Sequence, residues 1–370
     1  MDCFITDFHV SDLSAVALED NIMQKGVLAA AGSKILENFI APFDAEAVTR
    51  LRKNHIPIAG RTVMSEFGWD SVSNDRRDYM SGAVGAVANC LVSCALGNDV
   101  FGQLRRQAAE RGLCYIHPTY GTVSRYGLIP LACSMDQIGV MCKNLDDGFD
   151  LLSKIAGKDE KDGAMFPDAR YHYEKTNRKL RVGVPACVTG LADPGTQESI
   201  RDLAGRFGAV HIELETFGIC KQVLYILSAG EFSQNTSRYD GVKCGWRAGA
   251  ATGLNDLYCK TRTEGLGLEA KLAVILGARA LSADHYVSCY EKALKLRRLI
   301  GQSLPFDACD VIVLPARISD DPYENLSLYA LAPLAGLPSV SFAHKGCGVQ
   351  LIANAKDENA LFTVWEGVRS

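Results

Sequence analysis

The sequence predicts an α/β protein, and three observations carry that prediction. Helical and strand patterns alternate along the chain. Leu180 to Leu214 reads as strand, helix, strand, which implies two parallel strands joined by a right-handed crossover. Hydrophobic residues make up 48% of the 370, enough for one large core or two ordinary domains.

Each element has its own pattern. Asp44 to Asn54 reads as an amphipathic helix, with Asp44 as its cap and Val48 and Leu51 on one face. Ile56 to Gly60 follows as a short buried strand. Ser81 to Leu96 carries no charge, and a helix that is apolar all round belongs in an interior. Leu113 to Ile116 reads as a strand, and Asp146 to Ala156 as a helix stopped by Gly157. Leu180 to Pro185 is a strand, Gln197 to Phe207 a helix closed by Gly208, and Ala209 to Leu214 a strand. Glu264 to Leu281 and Ser288 to Leu299 are long helical stretches. Val311 to Pro315 and Pro338 to Phe342 are buried strands. Asp159 to Lys179, rich in charge and tyrosine, is the stretch expected to be mobile. No repeat or low-complexity linker divides the chain, so residues 1–370 are expected to form a single domain.

Composition excludes several function classes. The net charge is −4, the pI is about 6.0, and no Lys/Arg run exceeds two residues. That is not the footprint of a chain that grips phosphates, so no direct nucleic-acid binding is expected. The 13 cysteines are odd in number and spread along the length. They read as reduced, mostly buried thiols of a cytoplasmic protein, not as a disulfide framework. The N-terminus has no basic region followed by an apolar stretch, and no uncharged apolar run reaches membrane-spanning length. The phosphate-loop, dinucleotide, nucleophile-elbow and zinc-protease signatures are all missing. Cys90 and Cys94, four apart on the expected interior helix, have no further ligands nearby and read as core thiols. His117 and His172 read as structural or solvated. No metal or cofactor is expected.

The informative region runs from Gly97 to Gly139. It holds Leu96-Gly97-Asn98-Asp99, then Gly102, Arg105 and Ala108-Ala109. His117-Pro118-Thr119-Tyr120-Gly121-Thr122-Val123-Ser124-Arg125-Tyr126-Gly127-Leu128 follows, and Ser134-Met135-Asp136-Gln137-Ile138-Gly139 closes it. This resembles the amidase signature, and within it the branch formed by the A subunit of glutamyl-tRNA amidotransferase. That branch reads L-G-S-D-T-G-G-S-I-R-Q-P-A-A, then K-P-T-Y-G-R-V-S-R-[YF]-G-L, then S-S-L-D-Q-I-G. The likeness extends outward and in order. It takes in Glu19-Asp20-Asn21-Ile22, Gly32-Ser33-Lys34-Ile35-Leu36, Gly60-Arg61-Thr62-Val63-Met64-Ser65-Glu66-Phe67, Ser237-Arg238-Tyr239-Asp240-Gly241, Arg262-Thr263-Glu264-Gly265-Leu266-Gly267 and Leu334-Ala335-Gly336-Leu337-Pro338. The resemblance implies the amidase-signature fold: a large mixed, twisted central sheet covered by helices on both faces. The helical residues that open the family pattern have no counterpart before Met1.

The family hydrolyses amides with a serine nucleophile. A second serine, on a cis peptide bond, relays the proton to a lysine, and backbone N–H groups of a glycine-rich loop hold the oxyanion. Carried over position by position, the nucleophile falls on Gln103 and the lysine on Glu19. The two glycines before the nucleophile become Phe101 and Gly102, and the threonine before them Val100. The serine-rich segment is shortened; the nearest equivalent of the middle serine is Tyr79, with Ser81 two places on. The substrate-binding arginine falls near Leu272-Ala273, and its acidic partner near Leu326, just after Asp320 and Asp321. The triad is therefore missing, and a degenerate amidase acting as scaffold or ligand-binding protein is expected. A buried Glu19 with nothing basic beside it must hold a proton or a cation. A reused ligand pocket would draw on Glu19, Tyr79, Ser81, Asp99, Val100, Phe101, Gly102, Gln103, Arg105, Ser124 and Arg125. Cys133, the one alternative nucleophile near the signature, reads as a packed, inert thiol. Two other readings stay open: an active amidotransferase subunit or amide hydrolase with a rebuilt site, and a solid core whose function lies on the outer surface. Partner subunits of amidotransferase type, or a small amide or amine ligand, are the expected partners; no membrane is.

Overall fold

The computed structural model describes residues 3–10, 12, 14–69, 79–167 and 171–369. Its strands are β1 (Phe4–Asp7), β2 (Val16–Glu19), β3 (Ile58–Thr62), β4 (Cys94–Asn98), β5 (Cys114–His117), β6 (Ile138–Cys142), β7 (Val182–Pro185), β8 (Ala209–Ile212), β9 (Val311–Pro315), β10 (Ser339–His344) and β11 (Cys347–Ala353). Its helices are α1 (Glu46–Lys53), α2 (Gly82–Ala88), α3 (Gln103–Glu110), α4 (Leu145–Ile155), α5 (Ala186–Thr189), α6 (Pro194–Gly205), α7 (Phe217–Thr236), α8 (Leu254–Gly265), α9 (Leu268–Ala280), α10 (Lys292–Gln302), α11 (Pro322–Ala335) and α12 (Glu358–Arg369).

Among the described residues the strands form one mixed sheet, in the order β1-β3-β2-β4-β6-β5-β10-β11-β9-β7-β8. β3, β2 and β4 are parallel near one end, where β1 adds an antiparallel edge strand, and β9, β7 and β8 are parallel at the other. The strands between them pair antiparallel. The expected strand-helix-strand unit is β7 to β8, which pair in parallel.

Side chains alternate across the sheet with the period of two that strands impose. Val16, Leu18, Cys94 and Leu96 face a core shared with Val48 and Leu51 of α1, Leu152 and Ile155 of α4, and residues of α6 and α12. Ala17, Ala95 and Tyr115 face the other way, onto Ala83 and Val87 of α2 and Leu104 and Ala108 of α3. On that side a further core gathers around Trp69, Phe101, Phe232 and Tyr329, with α7, α9, α10 and α11.

Local signals set the helix ends. Asn144 caps α4 by accepting from the Asp147 N–H (2.9 Å). Asp193 caps α6, with Pro194 at its first position. Asp321 caps α11 just before Pro322, and Gly336 ends that helix at φ 68°.

Several expectations are corrected. Asp44 does not cap α1; Ala45 stands there, while Asp44 accepts from the Lys25 N–H (2.8 Å) and pairs with Arg52. Ser81 to Leu96 is two elements, not one interior helix. α2 stops at Ala88, Cys90 turns through left-handed backbone (φ 59°), and the chain re-enters as β4. A charge-free run suits a buried strand as well as a buried helix, which is why the pattern misled. Cys90 is exposed beyond the helix and Cys94 is buried in the sheet, so they share no helix. Six of the thirteen free thiols are buried, so "mostly buried" overstates the case.

The described part of 159–179 has no helix or strand. Glu174 N–H donates to Asn359 Oδ1 (3.1 Å) and Thr176 N–H to Thr363 Oγ1 (2.9 Å), which ties it to α12. Residues 168–170 lie outside the described residues. No described helix is long and apolar enough to cross a membrane.

Candidate functional site

Glu19 ends β2. The parallel register sets Leu18 beside Leu96 of β4, so the next side chain reaches Gly97 and Asn98. Glu19 Oε2 accepts from the Asn98 N–H (3.0 Å), and Oε1 from the Ser81 hydroxyl (3.4 Å). Gly97 makes this approach possible, since a Cβ there would lie 2.7 Å from Oε2. Glu19 is only 3% exposed, and no ion pair reaches it among the described residues. Burial pushes its carboxyl up to about 8, and the charges of Asp99 and Asp20 push the same way against the two hydrogen bonds. At neutral pH Glu19 therefore carries a proton.

Ser81 is the residue whose hydroxyl meets Glu19. It also caps α2 by accepting from the Ala83 N–H (3.3 Å). The Tyr79 carbonyl accepts from Gln107 Nε2 (2.9 Å), whose Oε1 accepts from the Ser81 N–H (3.0 Å). The shortened segment before Tyr79 falls on residues 70–78, outside the described residues.

Gln103 opens α3, and its Oε1 accepts from the Ser65 hydroxyl (3.3 Å). Gly102, just before it, has φ 88°, and a Cβ there would lie 2.1 Å from the Tyr329 ring. Phe101 and Val100 are buried. The Phe101 ring packs against Trp69 (4.8 Å between centroids) and Tyr225 (6.1 Å). Asp99 and Arg105 form a buried ion pair (2.9 Å), and Arg105 Nη1 donates to the Tyr329 carbonyl (3.0 Å). Asp99 also accepts from the Arg105 N–H (3.0 Å), which satisfies a first-turn donor of α3.

The crowding at Gly102 makes a prediction. Gly102→Ala is expected to cost about 2–4 kcal/mol, from left-handed backbone and overpacking together. Urea denaturation measures it; a loss below ~0.5 kcal/mol would mean that α11 yields freely.

Ser124 and Arg125 belong to a second neighbourhood. Ser124 Oγ donates to Asp159 (2.7 Å), and Arg125 Nε to Asp162 (2.9 Å). Against the burial of Asp162, Arg125 holds its carboxyl down to about 2. Arg125, Cys133, Asp136 and Arg238 line a cavity of about 330 Å³. The two neighbourhoods meet at Asn98. Its N–H serves Glu19, and its Nδ2 donates to Asp136 Oδ1 (2.8 Å). Burial raises the Asp136 carboxyl to about 6.

Sequence reasoning missed Ser65, Asn98, Gln107, Asp136 and Tyr329. Ser65, Asn98 and Asp136 stood inside the quoted motifs, and their polar types among apolar neighbours were the available signal. Cys133 corrects the expectation of a packed thiol, because it is exposed; partial burial still raises its pKa. His117 ends β5 in full burial, which holds it neutral with a pKa far below the ordinary value. Leu272 is exposed on α9 and Ala273 buried, while Leu326 is buried on α11. Asp320 pairs with Arg317. Among the described residues no group of three or more acidic, His or Cys side chains could hold a metal ion.

The amidase family model matches residues 15–76 and 81–362, so the chain belongs to the amidase-signature family. Within that family it resembles the A subunit of glutamyl-tRNA(Gln) amidotransferase. The Persephonella marina form of that protein is 33% identical over 97% of this chain and 84% of its own length. The Coxiella burnetii form is 35% identical over 94% and 81%. Among solved structures, the glutamyl-tRNA(Gln) amidotransferase A subunit of Thermotoga maritima superposes with TM-score 0.78 at 26% identity, covering 99% of this chain and 86% of that one. The peptide amidase of Stenotrophomonas maltophilia gives 0.74 at 25%, covering 96% and 82%.

Proposed function

We propose that this chain is a catalytically silent amidase-family protein, a cytosolic scaffold or ligand-binding subunit that works beside amidotransferase-type partners. One observation carries the reading. Where the family pattern sets a serine and a lysine, this chain has Gln103, bonded to Ser65, and Glu19, a buried acid that keeps its proton. A carboxamide is not a nucleophile of useful strength, and a neutral acid cannot draw a proton from a hydroxyl. Phe101 and Tyr329 crowd the turn where an oxyanion pocket would need open backbone. The purified protein is expected to release no ammonia from glutamine, asparagine or simple amides, alone or with partner subunits. Turnover that disappears in Gln103→Ala or Glu19→Gln would overturn the reading.

A second reading, hydrolysis from a rebuilt site, has one observation in its favour. The exposed Cys133 thiol lines a cavity beside Arg125. Its raised pKa keeps the thiol protonated and a poor nucleophile. Ammonia release abolished by Cys133→Ser would favour this reading over the first.

A further inference from the structure

A cleft of about 530 Å³ lies between α10, the C-terminal end of α11 and the loop after β11. Its size is within the range of small-ligand sites, about 300–1,000 Å³. It shares no lining residue with the Glu19 group or with the cavity beside Arg125.

The lining is chemically one-sided. Leu304, Phe306, Leu334 and Leu337 supply an apolar floor. Gln302 and Asn354 are neutral amides, and among the described residues the only charged ones lining the cleft are Arg297 and Arg298, with no carboxylate.

Arg297 is held in place by neutral acceptors. Its Nε donates to the Leu334 carbonyl (2.7 Å), Nη1 to the Ser134 hydroxyl (2.6 Å) and Nη2 to the Ser134 carbonyl (2.9 Å). The acid joined to this network is Glu231, which accepts from both the hydroxyl (2.5 Å) and the N–H (2.8 Å) of Ser134 and whose charge favours the charged form of Arg297. Arg298, the next residue, is exposed and has no ion pair or hydrogen-bond partner among the described residues. One guanidinium is thus fixed in orientation and the other is free to close on a ligand.

We propose that this cleft binds a small monocarboxylate with an apolar body, its carboxylate held by Arg297 and Arg298 and its tail laid on the leucine and phenylalanine floor. The free guanidinium fork of Arg298 matches the two oxygens of a carboxylate, while Arg297, its donors largely engaged by Leu334, Ser134 and Pro333, adds a fixed positive charge beside it. An amine or a zwitterion would bring its ammonium against two guanidiniums with no acid among the described lining residues to receive it. A bare inorganic anion would leave the apolar floor uncovered and forgo that burial. The site is independent of the amidase reading, since it uses none of the residues at the family's catalytic positions.

The test is calorimetric titration of the full chain with octanoate, octylamine and inorganic phosphate. Octanoate is expected to bind, octylamine not to bind, and phosphate to bind at least about tenfold more weakly than octanoate. Arg298→Ala should weaken octanoate at least about tenfold, the loss of one charge-assisted contact. Arg298 is exposed and unbonded, so this variant should keep the parent's unfolding midpoint. Phe306→Ala should weaken octanoate more than phosphate. Absence of octanoate binding, equal binding of octylamine, or an Arg298→Ala protein that binds octanoate like the parent would each overturn the proposal.

Discussion

Arg105→Ala is expected to lower the unfolding free energy by about 3–5 kcal/mol, the cost of stranding one half of a buried ion pair. Arg105 is fully buried and holds three things at once. It pairs with Asp99 (2.9 Å), it donates to the Asp99 and Val100 carbonyls (3.2 and 3.4 Å), and it donates to the Tyr329 carbonyl (3.0 Å). The substitution leaves Asp99 charged in a low-dielectric interior and unties the start of α3 from α11. Asp99→Asn combined with Arg105→Met should recover part of the loss, because neither charge is then stranded. It should not recover all of it, because the three carbonyls stay without their donor. Urea denaturation of the two variants decides the matter. A double variant no better than Arg105→Ala would mean that the carbonyl bonds, and not the ion pair, dominate.

The second large effect is on pH dependence. Glu19 has a folded pKa of about 8 against an ordinary value of 4.5. Below 4.5 both folded and unfolded chains hold the proton, and the contribution of Glu19 to stability is complete. Between 4.5 and 8 the unfolded chain releases the proton while the folded one keeps it. Stability therefore falls with rising pH, by ~1.4 kcal/mol per unit, and levels off above the folded pKa. The total is on the order of 5 kcal/mol. Glu19→Gln keeps the shape and removes the titration. Its stability should decline less than the parent's between pH 5 and pH 9, by a few kcal/mol. Asp136, raised to about 6, adds a smaller decline of the same sign in both proteins and cancels in the comparison. Equal slopes for parent and variant would mean that Glu19 ionises in the fold.

Much of the fold could be read in advance, for identifiable reasons. β7, β9 and β10 are short apolar runs bounded by Gly, Pro or charge, and each strand is where its pattern predicts. α4 and α6 have a clean apolar stripe and a capping side chain. α7 was not legible, although it is the longest helix described. It buries Ser228, Ser233 and Asn235 along with its leucines, so no single stripe stands out. α11 is buried along nearly its whole length and carries Pro333 inside it, which argues against a helix in any local reading. β6 was hidden inside a stretch read for its motif. At the site, the resemblance singled out Glu19 and Gln103, but their surroundings were not legible. Tyr329, which crowds Gly102 and receives Arg105, lies 224 residues from that arginine. No local pattern can announce a contact that only the closed sheet creates.

The ring of Phe101, wedged between Trp69 and Tyr225, has a consequence for descent. Phe101→Gly would leave a ring-sized void in this aromatic cluster, and a void of that size costs about 3–5 kcal/mol, a large share of what a marginally stable domain holds. On the proposed reading, Gln103→Ser alone restores no hydrolysis while the ring stays, and Phe101→Gly alone restores none while Gln103 and Glu19 stay. The packing would then act as a ratchet, in which each single change carries a cost before the others have been made.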